Sequence, residues 1–500
     1  MSEILIGQAD APVLLRLDRA NRHGVVAGAT GTGKTVTLQV LAEGFSAAGV
    51  PVFAADVKGD LSGLAAAGAP NDKLLARAKA MGLTLDPHAT PAIFWDLLGQ
   101  AGHPIRATLS EMGPTLLSRL LELSDAQEGV LTIVFHLCDQ QKLLLLDLDD
   151  LQAALSYVAE NAKDIGTQYG NVAPATVGSI QRKLLQLRTD GADRFFGEPA
   201  LDLSDLMRCA GDRGYVNVLD ATRLIEQPGL YSTFLLWLMS ELFEQLPEVG
   251  DPEKPKLVFF FDEAHLLFRD APKALLDKIE QVVRLIRSKG VGIYFVTQNP
   301  ADIPDAVLAQ LGNRIQHALR AYTPADQAGL KAAAQSFRPN PAFDTAEAIQ
   351  GLEVGQALIS VLDEKGAPSV VARTMIRPPE GRIGPITPDE RHAILAQSPV
   401  RGCYDTPENR ESAYELLAAR AQAKTDGPAA TAEPSAAPSA PPRPGGAFGQ
   451  DIGAMIFGGG RRQGLAEAMA KSVVRAAGSQ VGRQLTNALV RGVLGSLTRR

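Results

Sequence analysis

Residues 28 to 35, Gly28-Ala29-Thr30-Gly31-Thr32-Gly33-Lys34-Thr35, constrain this chain more than any other stretch. The pattern G-x-x-x-x-G-K-[ST] is that of a phosphate-binding loop. Its glycines let successive backbone N–H groups turn inward around an anion, because no Cβ blocks the concavity. Lys34 brings a mobile charge for the β- and γ-phosphates, and Thr35 brings a hydroxyl for Mg²⁺. The flanks fit the motif. Gly24-Val25-Val26-Ala27 reads as a buried parallel strand, and Val36 to Ala48 is free of proline, with Val36, Val40, Leu41 and Phe45 at helical spacing. A helix starting there aims its N-terminal dipole at the phosphates. These eight residues are expected to form a nucleotide site, with ATP and Mg²⁺ as its ligands.

A second stretch makes sense only beside the first. Leu257-Val258-Phe259-Phe260-Phe261 is a run of five apolar residues, suited to a strand buried on both faces, and it ends in Asp262-Glu263-Ala264-His265. Asp262 is placed to hold the hydration shell of Mg²⁺. Glu263, one residue on, is placed to take a proton from an attacking water. The strand Val291 to Thr297 ends at Gln298, a polar group on the same edge that can reach the γ-phosphate or the water. Val50 to Asp56 reads as another buried strand. At its end Asp56 or Asp60 either orients Mg²⁺ or caps the next helix, and the sequence leaves both readings open.

The order of elements gives an α/β fold, a mostly parallel sheet with helices on both faces, of the phosphate-loop type. Residues 1–99 and 207–378 would form the ATPase core, and 100–206, where the periodicity turns helical, an insertion. In that insertion Asp147 to Leu151 reads as a solvated helix start, and His103 and His136 as ordinary surface or core histidines. One strand, Val13 to Leu17, is expected before the loop. Further on come an amphipathic helix over 229–246, a helix over 274–288 stopped at Gly290, a strand near Arg314, and a hairpin closed by Asp363-Glu364-Lys365-Gly366. Residues 379–460 pass from one or two helices into an Ala/Pro/Ser/Gly linker.

Charge separates the C-terminus from the rest. From Arg461 to Arg500 eight basic residues face one acid, so a segment of +7 follows a body of −14 in a chain of net charge −7. An acidic body repels a nucleic-acid backbone over most of its surface, so any DNA contact must be local. The basic segment repeats apolar residues every four positions. It suits docking on the protein itself, an anionic membrane face, or DNA. Three scattered cysteines and no export signal point to the cytoplasm.

Gly28 to Thr35, Asp56 to Leu61, Phe260 to His265 and the run from Arg287 through Thr297-Gln298-Asn299-Pro300 to Arg314 bring a family into view. The chain resembles the HerA–FtsK superfamily of ring-forming motor ATPases, and most closely its HerA-like bacterial branch (YjgR-type), over roughly residues 5 to 378. The resemblance implies a self-associating hexamer with ATP at subunit interfaces and DNA as its track. It places Lys34, Thr35, Asp262, Glu263 and Gln298 on catalytic positions. It also implies an arginine acting on a neighbour's site, for which Arg287 is the best match, ahead of Arg284, Arg314 and Arg320. HerA proper carries a β-barrel ahead of its motor. Only 27 residues precede the loop here, so the barrel is expected to be missing. That argues against a nuclease partner and makes the hexamer less secure.

The spelling Asp-Glu-Ala-His also invites a superfamily-two helicase, but no second motor domain follows it. An ABC-type reading lacks its serine-glycine-glycine signature. Two classes of function stay open: a DNA translocase with a pore loop around Arg269 and Lys273, or an ATP-switched assembly or membrane-associated protein.

Overall fold

Alternation of side chains along short, fully apolar strands builds the centre of the molecule, seen here in a computed structural model that describes residues 2–268 and 273–426. In chain order the strands are β1 (Glu3–Gln8), β2 (Pro12–Arg16), β3 (Gly24–Ala27), β4 (Val52–Asp56), β5 (Ala92–Asp96), β6 (His103–Pro104), β7 (Cys209–Ala210), β8 (Arg213–Gly214), β9 (Val216–Asp220), β10 (Leu257–Phe261), β11 (Val291–Thr297), β12 (Asn313–Gln316), β13 (Gln356–Ser360) and β14 (Ala372–Ile376). Twelve of them form one sheet in the order β2-β1-β14-β13-β12-β3-β11-β10-β4-β9-β5-β6. From β12 to β6 every pairing is parallel. From β12 to β2 every pairing is antiparallel.

Every residue of β3, β4, β10 and β11 is buried, as a sheet covered on both faces requires. Successive residues feed opposite cores. Val25, Phe53, Phe259, Phe261 and Phe295 point to one, and Val26, Ala54, Phe260, Tyr294 and Val296 to the other. The second core is filled by α1 (Lys34–Ala47), whose Phe45 ring meets Phe260 at 6.1 Å and Tyr294 at 6.0 Å. The first takes the helices Pro228–Gln245 and Lys273–Leu285 together with the helical segment over residues 109–189.

The expected hairpin is present as β13 and β14, with Gln356 opposite Met375. The stop at Gly290 is also present, at φ +76°. Several expectations need correction. Two strands, not one, precede β3, because β1 (Glu3–Gln8) pairs with both β2 and β14. The helix Pro228–Gln245 is not amphipathic. Residues Thr233 to Leu242 are all buried, because it lies between the sheet and the flanking helices. Asp150 is not solvated. Its carboxylate accepts from the N–H groups of Leu146 at 2.8 Å and Tyr414 at 2.9 Å, while Asp147 caps the helix as expected. The linker after 426, the basic segment 461–500 and Arg269 lie outside the described residues. Among the described residues no helix is long and apolar enough to cross a membrane.

Candidate nucleotide site

The phosphate loop joins β3 to α1 at the C-terminal edge of the parallel strands, where ligands sit in open α/β sheets. Neighbouring strands pin it. Gly28 N–H donates to Thr297 O at 3.2 Å, Ala29 N–H to Ala318 O at 2.8 Å, and Gly355 N–H to Thr32 O at 3.0 Å. Glycine is required at Gly28, where an added Cβ would lie 2.5 Å from the His317 Cβ, and at Gly33, where φ is +112°. α1 starts at Lys34 with no side-chain cap. Its first N–H groups therefore face the loop unclaimed by a side chain, a built-in anion site.

Lys34 is buried and curls over the loop, its ammonium donating to Gly28 O at 2.6 Å and Ala29 O at 3.1 Å. Burial lowers its pKa, and the nearby Lys58 lowers it further. Thr35 occupies the first turn of α1, partly exposed on the loop side. Thr30 and Gly31 are exposed at the loop's crest, and the Thr32 hydroxyl donates back to Ala29 O at 2.7 Å.

β11 lies between β3 and β10, with Ala27 opposite Thr297 and Phe261 opposite Phe295. That register brings the ends of all three strands to one edge, so Asp262, Glu263, Gln298 and Lys34 meet there. Asp262 is buried. Desolvation and its neighbour Glu263 push its carboxyl up to about 6. Glu263 sits at φ +49°, left-handed backbone that a non-glycine residue rarely adopts. Its Oε2 accepts from Gln298 Nε2 at 3.2 Å, and its Oε1 pairs with the Lys58 ammonium. Burial pushes the Glu263 carboxyl up, but Lys58 and Gln298 outweigh it and hold it below the usual range. His265 Nδ1 lies 3.2 Å from Glu263 Oε2 yet makes no hydrogen bond to it.

Of its two open readings, Asp56 takes the capping one, closing the turn that follows β4. Its carboxylate accepts from Gly59 N–H at 2.8 Å and Leu61 N–H at 3.0 Å. Asp60 starts the short 3-10 turn that follows. Arg287 is not brought to this edge. It lies just before β11, bound to Asp251 at 3.1 Å, and β11 sets it roughly 20 Å from the loop. Arg284 pairs with Glu280 at 2.6 Å, Arg314 is half-buried and donates to Leu308 O at 3.2 Å, and Arg320 is exposed beyond the end of β12.

Two neighbours of the loop had no role in the sequence reading. Lys58 lay in a turn noted only for its acids; its place two residues past a strand-ending carboxylate was the available signal. His317 follows β12, whose Gln316 is in register with Ala27. Its ring bridges Thr37 Oγ1 at 2.9 Å and Gln356 O at 2.8 Å.

A phosphate loop and an Asp-Glu pair on strands separated by one intervening strand define the additional-strand class of P-loop nucleotide-binding proteins. The chain belongs to the family described as helicase HerA-like, C-terminal, which it matches over residues 2–500. It is 23% identical over 359 residues to the DNA double-strand break repair helicase HerA of Saccharolobus solfataricus, covering 71% of this chain and 64% of that protein. It is 20% identical over 362 residues to the same-named protein of Sulfolobus acidocaldarius, covering 71% and 65%. The matched region thus spans less than two thirds of either relative. Among solved structures, the plasmid coupling protein TrwB with an ATP analogue superposes at a TM-score of 0.51 with 14% identity, covering 77% of this chain and 90% of that one. Unbound TrwB lacking its first 70 residues gives 0.50 at 14% identity, covering 75% and 89%. These likenesses concern the fold alone.

Proposed function

We propose that the chain hydrolyses ATP by in-line attack of water on the γ-phosphate and uses the cycle to drive a ring along DNA. The observation that carries the ATPase reading is the meeting of Lys34, Asp262, Glu263 and Gln298 on one sheet edge beside an uncapped helix start. Residues Gly28 to Thr35 cradle the triphosphate, and Lys34 offsets charge on its β- and γ-oxygens. Glu263 positions the water and accepts its proton, with Gln298 fixing the carboxylate.

The donors fit Mg²⁺. Asp262 is a buried carboxylate without an ion-pair partner among the described residues, and Thr35 adds a hydroxyl oxygen. Among the described residues no group of three or more His, Cys, Asp or Glu could hold a metal alone. This suits a cation that binds one or two protein oxygens plus substrate phosphates. Once bound with ATP, Mg²⁺ would neutralise charge developing on the transferred group.

The DNA track and the hexamer rest on family membership and on the resemblance, and the division into a core at 1–99 and 207–378 with an insertion at 100–206 rests on the helical periodicity of that stretch. ATP turnover measured with and without duplex or single-stranded DNA, across salt, tests the coupling. Stimulation that fades with salt is expected for a translocase. A flat response would favour an ATP-switched assembly, in keeping with the acidic body.

A further inference from the structure

Glu263 is held by two donors of different character. Gln298 stands at the end of a buried strand and donates to Oε2 at 3.2 Å. Lys58 stands on a turn and pairs with Oε1. The turn is itself fixed: Asp56 accepts from Gly59 and Leu61 N–H, Gly59 has φ +79°, and Ser62 Oγ donates to Gly59 O at 2.8 Å. Only the four-carbon stem of Lys58 is free to move. Its side chain is 36% exposed, against 5% for Glu263. The backbone that carries Glu263 is fixed, with Ala264 N–H donating to Val296 O at 2.8 Å and Leu266 N–H to the Glu263 backbone carbonyl at 2.9 Å.

Charge at the edge is balanced between two ammonium groups, Lys34 and Lys58, and two carboxyls, Asp262 and Glu263, each felt by the others. Lys34 donates to carbonyls of the loop that receives the phosphates. With Oε2 hydrogen-bonded to Gln298 and Oε1 held in an ion pair by Lys58, the carboxylate has little capacity left to hold and deprotonate a water. A triphosphate entering the loop brings more negative charge than Lys34 alone offsets, and Lys58 can answer the remainder by leaving Glu263 Oε1.

We infer that Lys58 senses the γ-phosphate and positions Glu263, exchanging one anion for the other as ATP enters; this rests on the ATPase reading above. A γ-phosphate draws the lysine across and frees a Glu263 oxygen for water. ADP lacks that group and leaves the pair closed.

The test uses the full-length protein. Lys58→Met should lower kcat tenfold or more, with Lys58→Arg recovering part of it. Affinities are then read in a Glu263→Gln background, where ATP stays intact, using fluorescent mant-ATP and mant-ADP. Adding Lys58→Met there should weaken mant-ATP about tenfold and leave mant-ADP within twofold. Equal loss for both nucleotides, or loss for neither, would overturn the proposal, as would an unchanged kcat in Lys58→Met. A merely structural lysine would move both nucleotides together. If Glu263→Gln itself turns over like the wild type, the ATPase assignment fails first, and the role of Lys58 with it.

Discussion

Gln298 donates a hydrogen bond of 3.2 Å to the carboxylate of Glu263, although 35 residues separate them. The bond exists because β10 and β11 lie side by side in parallel register, so both side chains leave the sheet at the same edge. Removing the acid and removing its holder should therefore differ in degree, not in kind. Glu263→Gln is expected to bind ATP normally and lose about a hundredfold or more in kcat, in the range of general-base and transition-state donors. Gln298→Ala should lose about tenfold with nucleotide affinity preserved. Steady-state ATPase assays beside nucleotide titration decide it, and wild-type kcat in Glu263→Gln would remove the residue from the chemistry.

Lys34 should behave differently, since it is part of the loop. Its ammonium closes on Gly28 and Ala29 carbonyls within the very turn that receives phosphates. Lys34→Ala removes ground-state binding as well as transition-state charge, so affinity and turnover should fall together. Isothermal titration with ATP should give a Kd raised tenfold or more; unchanged affinity would refute the placement.

Arg287 is predicted to act on the ATP of a neighbouring subunit and not on its own. It sits at the N-terminal end of β11, opposite the loop edge, and its guanidinium is bound to Asp251. In a ring, Arg287→Ala subunits would then lower the turnover of wild-type neighbours when mixed. Activity falling faster than the wild-type fraction is the expected result. Activity strictly proportional to that fraction would sink the trans role.

Much of this was legible in the sequence because it was local. The loop, the apolar run to Asp262-Glu263 and the strand to Gln298 each declare themselves within ten residues. What escaped was set by distant partners. The ring of His317 meets Thr37 across 280 residues, and Lys58 meets Glu263 between two paired strands far apart in sequence, so neither role has a local signature. β5, Ala92 to Asp96, was missed because no motif adjoins it, unlike the equally short runs beside the loop and the Asp-Glu pair. The helix Pro228–Gln245 was read as amphipathic although its apolar residues run all round, the pattern of a buried helix.

Stability against pH offers a test of the buried groups around the loop, because two kinds oppose each other. His317, enclosed between Thr37 and Gln356, is pushed by burial down to about 4, and the Lys34 charge pushes the same way. The unfolded chain, with a histidine near 6.5, binds the extra proton between those values, so His317 costs stability as pH falls from about 6.5 to about 4. Asp56 does the reverse. Burial and the charge of Asp262 push it up to about 7. The folded protein then binds the extra proton between roughly 4 and 7, and stability present below that window is lost as pH rises through it. At full extent the His317 term is worth about 3 kcal/mol and the Asp56 term about 4 kcal/mol; their slopes oppose, so the wild-type profile should be flat where they overlap. His317→Gln should instead gain on the wild type as pH falls from 7 to 5, and Asp56→Asn should gain on it as pH rises from 5 to 7. Urea unfolding of the three proteins at pH 5, 6 and 7 separates them. Parallel profiles for wild type and His317→Gln would mean that the histidine titrates alike folded and unfolded, and that its ring is not enclosed beside the loop.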